Sequence, residues 1–150
     1  MNLQWSGQEH ITANKAKVWA FINDPAKIAS CLPDVQSVDV KDAHNFDATV
    51  KVAVGPVRGS FKFAIGLVPS ADGNHMDLKI SGGGFGSVVN LNAGADLSEN
   101  ADATTMLDWK GTAAVSGPVA TIGGRVLDAQ AHRVISTTFE NVKNAVSQAA

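Results

Sequence analysis

Residues 46–67 read Phe46-Asp47-Ala48-Thr49-Val50-Lys51-Val52-Ala53-Val54-Gly55-Pro56-Val57-Arg58-Gly59-Ser60-Phe61-Lys62-Phe63-Ala64-Ile65-Gly66-Leu67. Phe46, Ala48, Val50, Val52 and Val54 alternate with Asp47, Thr49 and Lys51. Beyond Gly55-Pro56, Val57, Phe61, Phe63, Ile65 and Leu67 alternate with Arg58, Ser60, Lys62 and Ala64. A period of two sustained on both sides of a Gly-Pro pair predicts two antiparallel strands with one buried face, joined by a tight turn.

The same pattern continues toward the C-terminus. Ala71-Asp72-Gly73-Asn74 predicts a turn, and Met76, Leu78 and Ile80 a short strand broken by Gly82-Gly83-Gly84. Phe85, Val89, Leu91, Ala93, Ala95 and Leu97 share one parity of a long strand. Ser98 to Asp102 is a polar turn, and Thr105, Leu107, Trp109, Ala113 and Val115 mark the last strand, closed by Gly117-Pro118. Strand after strand joined by short turns is an antiparallel meander. Glycines inside these strands (Gly59, Gly66, Gly86, Gly94, Gly111) predict bulges or bends that curve the sheet.

Helices flank the meander. Leu3, Trp5, Gly7 and Ile11 fall on one parity of an opening strand. Val18, Phe21 and Ile22 then sit at helical spacing, with Thr12 or Asn14 as N-cap. Asp24-Pro25 is a second cap followed by proline at a first helical position, which predicts a helix from Pro25 to about Ser30, ended by Leu32-Pro33-Asp34. From Val119 to about Val146 the pattern is helical again. Ile122, Val126, Ala129 and Arg133 join Leu127, Ala131, Val134, Thr138 and Val142 in one broad stripe. A helix of about 25 residues is roughly 37 Å long, enough to cross a six- or seven-stranded sheet. The order predicts one α+β domain over residues 1–150: a curved antiparallel six- to seven-stranded sheet around a long C-terminal helix, with two short helices after the first strand.

Composition narrows the function. Charged residues make up 17% of the 150 and the net charge is −2. With no basic block, this argues against a nucleic-acid partner. The apolar share of 45% excludes disorder. A single cysteine, Cys31, excludes a disulfide scaffold and reads as a buried structural thiol. No apolar run approaches the roughly 20 residues of a membrane span, and the N-terminus lacks a signal-peptide pattern, so the expected compartment is the cytoplasm. His10, His44, His75 and His132 are scattered, which predicts no metal site. Asp24 reads as a helix cap, and Gly82-Gly83-Gly84-Phe85-Gly86 lacks the helix and lysine of a phosphate loop.

The extra apolar content points inward instead. Phe61, Phe63, Phe85, Val89, Leu91 and Trp109 lie on inward strand parity, beside the small residues Gly59, Ala93, Ala95, Gly111 and Ala113. Because native cores are densely packed, small inward residues among large ones predict a ligand space. The last helix offers Ile122, Val126, Ala129 and Val134 as the facing wall and Arg125 or Arg133 as a cap for a ligand oxygen. The inward parity offers no acid–base pair and the chain no tyrosine, so no catalytic residue is expected.

Several segments also resemble a known family. Val18-Trp19, Asn23-Asp24-Pro25 and Cys31-Leu32-Pro33-Asp34 resemble a "VW…DP…clPG" opening, with Asp34 where glycine is usual. Val52 to Phe61 is similar to "KVGPVKGxF". Thr105-Met106-Leu107-Asp108-Trp109 resembles "TxLxY" with tryptophan for tyrosine, and Gly117 to Arg125 resembles "GxLAxLGxR". Phe139 fits a phenylalanine near the chain end. These are features of the CoxG family of carbon monoxide dehydrogenase accessory proteins, within the START-like, or SRPBCC, superfamily of helix-grip folds. The resemblance runs from about residue 3 to 145.

It implies a non-enzymatic carrier of a lipophilic small molecule, with a bound quinone as the expected ligand and no other cofactor. It also implies partnership with a molybdenum hydroxylase of the carbon monoxide dehydrogenase type, and recruitment to the inner surface of the cytoplasmic membrane. Many members carry a C-terminal extension suited to membrane contact. This sequence ends at Ala150, so cavity binding is the part expected to transfer. The alternatives are a cyclase- or aromatase-like enzyme of the same superfamily and a ligand-free interaction adaptor.

Overall fold

The computed structural model describes residues 1–54 and 57–148; the expected Gly55-Pro56 turn lies outside the described residues. The elements are β1 (Asn2–Ile11), α1 (Lys15–Ile22), α2 (Pro25–Cys31), β2 (Val35–Val40), β3 (Asn45–Val54), β4 (Val57–Pro69), β5 (His75–Gly84), β6 (Ser87–Glu99), β7 (Thr105–Ser116), a 3₁₀ segment (Pro118–Ile122) and α3 (Gly124–Gln148). The seven strands form one antiparallel sheet in the order β1-β7-β6-β5-β4-β3-β2. Strands β2 to β7 are the expected meander, and β1 joins its far edge.

Local chemistry starts the helices. Asn14 caps α1, its Oδ1 accepting from the Lys17 N–H at 2.9 Å. Asp24 caps α2, accepting from the Ala26 N–H at 3.0 Å, with Pro25 in the first turn. Such side chains satisfy backbone donors that no helical carbonyl can reach.

Three details depart from the pattern reading. Gly82-Gly83-Gly84 does not break β5. Gly82 pairs with Phe63 and Val89, and Gly83 with Lys62 and Val88. A β-carbon on Gly82 would strike the Lys62 carbonyl oxygen, and one on Gly83 the Ser87 carbonyl oxygen. These glycines let three strands pack closely instead of ending one. Nor do Gly66, Gly94 and Gly111 make bulges, because the pairing runs regularly through them; a register shift occurs between Val35 and Ser37 instead. Finally, the last helix is interrupted. The 3₁₀ segment ends at Gly123, with φ +105, and α3 starts at Gly124.

Leu127, Phe139, Val142, Ala145 and Val146 pack into the core. Val126 is 45% exposed. Ala129 and Arg133 are exposed as well.

Packing concentrates at the ends of the inner face. At one end, Ile11, Val18, Phe21, Leu107, Val142 and Val146 form part of a large buried cluster between α1, α3 and the sheet. At the other, Phe61, Val115 and Val119 are buried, with Leu3, Val89 and Leu127 against them. A third cluster under α2 holds Ala29, Phe46, Ala48 and Ile65. Burying one such side chain contributes about 1.5–3 kcal/mol. The α3 backbone comes nearest to β1 on one flank and to α2 and β3 on the other, and stays farther from the central strands.

Candidate ligand-binding site

Strand register builds the inner face row by row. Phe63 pairs with Gly82, and Gly82 with Val89. Ile65, Ile80, Leu91 and Ala113 form the next row; Leu67, Leu78, Ala93 and Gly111 the one after. Phe63, Leu78, Ile80, Val89, Leu91 and Ala93 are all only half-buried, although they point inward beneath α3. Leu91 and Ala93 belong to none of the packed clusters or their apolar surroundings. Solvent therefore reaches apolar side chains in the middle of a face whose ends are closed. A helix that touches the sheet mainly at its flanks leaves that middle accessible, which suits an apolar ligand.

Of the residues expected to contact a ligand, Phe61, Phe63, Val89 and Leu91 come together here. The Phe61 and Phe63 ring centroids are 6.1 Å apart, and Phe85 lies 5.9 Å from Phe61. Phe85 is not on a strand. It occupies the first central position of the two-residue β5–β6 turn, with φ +55, followed by Gly86 at φ +76. Positive φ at both positions is the type I′ hairpin turn, in which asparagine followed by glycine is the relaxed choice. A phenylalanine there is strained by about 1–2 kcal/mol. Its ring lies over Gly59, which has φ +147 and where any β-carbon would collide with the ring. More than half of Phe85 (55%) remains exposed.

The other expected residues separate from this group. Trp109 packs on Phe139, with centroids 5.5 Å apart, and its ring covers Gly7 of β1. Ile122 is half-buried at the end of the 3₁₀ segment, off α3. Val126 and Ala129 are exposed, because within α3 they lie off the face that carries Leu127, Val142 and Val146 into the core. Arg133 ion-pairs with Asp34 at 2.7 Å, tying α3 to the α2–β2 connection. Asp34 takes φ +61, a conformation glycine adopts most easily.

The inner parity also carries acidic chemistry that the pattern reading left out. Glu9 shares the inward side of β1 with Trp5 and Ile11, paired opposite Leu107. Its Oε2 accepts from the Trp109 indole N–H at 3.2 Å, and its Oε1 lies 2.8 Å from Lys143 Nζ. Farther along the same seam, Trp5 Nε1 donates to Asp128 Oδ1 at 2.7 Å. One indole–carboxylate bond thus joins β7 to β1, while the other, together with the Glu9–Lys143 ion pair, ties β1 to α3. A groove of about 390 Å³ opens beside them, lined by Trp109, His132, Ile135 and Lys143 among others. The odd position of Glu9 was the available signal; its partners lie at least 100 residues away.

Elsewhere the chemistry is structural. Burial pushes the Cys31 thiol up, which disfavours the reactive thiolate. On the outer face, His75 lies between Asp77 at 2.8 Å and Asp96 at 2.7 Å, one on each ring nitrogen. The hydrogen bonds to Asp77 and then Asp96 raise its pKa. A depression of about 660 Å³ beside it involves Gln4, Ser6, Asn92 and Thr112, on the side opposite the apolar face. Among the described residues, no helix is long and apolar enough to cross a membrane.

Known proteins share this architecture. A conserved protein from Geobacillus kaustophilus superposes with a TM-score of 0.87 at 25% identity, covering 97% of this chain and 96% of that one. A START superfamily protein from Mycobacterium smegmatis gives 0.71 at 12% identity, covering 98% and 99%. Norcoclaurine synthase from Thalictrum flavum, in complex with a transition-state analogue, gives 0.68 at 10% identity, covering 99% and 96%. The last two show the START-like helix-grip fold and nothing narrower, since the same fold houses an enzyme. None of the curated proteins matches this sequence closely enough to count as a relative. Residues 7–147, nearly the whole sheet and the long helix that grips it, match the family of the CoxG subunit of carbon monoxide dehydrogenase, and the chain belongs to that CoxG family.

Proposed function

We propose that this protein is a non-enzymatic carrier of a lipophilic, planar small molecule of the quinone class, held between the concave sheet face and α3. What supports this reading is the half-buried apolar middle of that face, bordered by Phe61, Phe63 and Phe85. Moving apolar ligand surface out of water into such a site contributes about 25 cal/mol per Å². Aromatic side chains offer flat surfaces that stack on a planar ring.

Family membership supports the partner: a molybdenum hydroxylase of the carbon monoxide dehydrogenase type, which the carrier would serve in the cytoplasm. Contact with the membrane surface is peripheral, through the rim that carries Leu32 and Phe85. Exposed Met1, Val88 and Val126 add apolar side chains able to enter a lipid interface.

Titrating the protein with decylubiquinone while following tryptophan fluorescence tests the carrier reading. Saturable quenching with one molecule per chain is expected, as is a quinone in organic extracts of protein purified from its own cells. An empty protein that does not quench overturns it. The enzymatic alternative draws on the Glu9–Lys143 pair beside the groove, which supplies an acid and a base. Glu9→Gln separates the two: a carrier keeps its decylubiquinone affinity within about twofold, as expected where a solvent-accessible ion pair contributes little.

A further inference from the structure

We infer that Phe85 is an aromatic gate over the ligand space, an inference that rests on the carrier reading above. Two unusual backbone conformations meet at one contact. Phe85 stands at φ +55 in a turn position that asparagine fills without strain, and Gly59 stands at φ +147 directly beneath its ring. Replacing either residue by an ordinary one would ease the backbone or block the contact. Strain of this kind persists where the surrounding structure enforces it, and it gathers at ligand clamps.

The ring is seated on one side only. Below it are Gly59 and, 5.9 Å away, Phe61. On its own hairpin it is preceded by Gly82, Gly83 and Gly84 and followed by Gly86, none of which has a side chain to hold it. Of all the aromatic rings placed on the inner side, this is the one left 55% exposed. From Phe85 the rings continue inward through Phe61 to Phe63 in steps of 5.9 and 6.1 Å, ending beside the open rows of the face. A rotation about the Phe85 side-chain torsions, on the time scale of exposed rotamers, uncovers that path without moving a strand. The gate therefore sets the rate at which ligand enters and leaves more than the affinity it reaches.

Phe85→Asn separates a gate from a packing anchor, because asparagine relaxes the turn as it removes the ring. For a gate, the melting temperature stays equal or rises, while stopped-flow quenching by decylubiquinone shows association and dissociation both faster by about tenfold, with the dissociation constant within about threefold. Phe85→Tyr keeps the ring and should keep the wild-type rates. A melting temperature lower by more than about 5 °C in Phe85→Asn marks an anchor and overturns the gate. So do unchanged rates in a variant that binds normally, which leave the carrier reading intact. A wild-type protein that takes up no decylubiquinone overturns the gate and the carrier reading together.

Discussion

The two halves of the inner face are made of the same strands with the same period-two pattern, yet they differ in what fills them. Around α1, Ile11, Leu67, Met76, Leu97, Leu107 and Val142 interlock into a closed cluster. A few residues along the same strands, Leu78, Ile80, Leu91 and Ala93 stay half-buried, flanked by Gly82 and Gly111. The lesson is that alternation specifies a buried face but not a filled one. Filling depends on the volume opposite each row and on how closely the covering helix descends.

That contrast breaks most sharply under truncation. Ile11 is 0% exposed, and Ile11→Ala should cost about 3–4 kcal/mol in urea unfolding, since the closed end cannot collapse around the lost atoms. Leu91→Ala should cost about 1 kcal/mol, because its side chain is already partly solvated, while weakening decylubiquinone binding several-fold. Equal losses in the two variants would mean that the middle is packed like the end.

Next in size is Gly82→Ala. Its β-carbon would push against the Lys62 carbonyl where β4 and β5 approach, and a loss of about 2 kcal/mol is expected in the same unfolding measurement. A neutral result would show that the sheet under the open rows yields more than the closed end does. Asp24→Ala should cost about 1 kcal/mol through the lost α2 cap, seen as a small fall in melting temperature with ligand affinity retained. A loss of affinity as well would tie α2 to the open half.

The smallest effect concerns His75, on the outer surface behind the closed end. Asp77 and Asp96 raise its folded pKa above the ordinary 6.5. The charged ring therefore adds stability that is fully present below about pH 6.5 and is lost as pH rises through the folded value. Melting temperature should fall slightly from pH 6 to 9, and His75→Asn should flatten that slope. An unchanged slope in the variant would assign it to other groups.

Much of the architecture is legible in the chain alone. Helix caps such as Asn14 and Asp24 act within three residues. Strand parity is a two-residue repeat, and the motif order from Val18-Trp19 to Gly117-Arg125 already resembles the CoxG family that residues 7–147 match. Parity alone places Phe61, Phe63, Val89 and Leu91 together. The helix face is another matter. One broad stripe puts Val126, Ala129 and Arg133 toward the sheet together with Leu127 and Val142, whereas only the side with Leu127, Val142 and Val146 packs into the core and the other three are exposed.

By itself, then, the sequence determined the order of elements, the apolar side of each strand and the family, because those depend on local periodicity and short motifs. Tertiary structure decided the rest. It ran β5 through three glycines, since the space for them is set by Lys62 and Ser87 on the neighbouring strands. It joined Glu9 to Trp109 and Lys143 across 100 and more residues. And it laid Phe85 over Gly59, a contact between two stretches of unusual backbone that no repeat in the chain encodes.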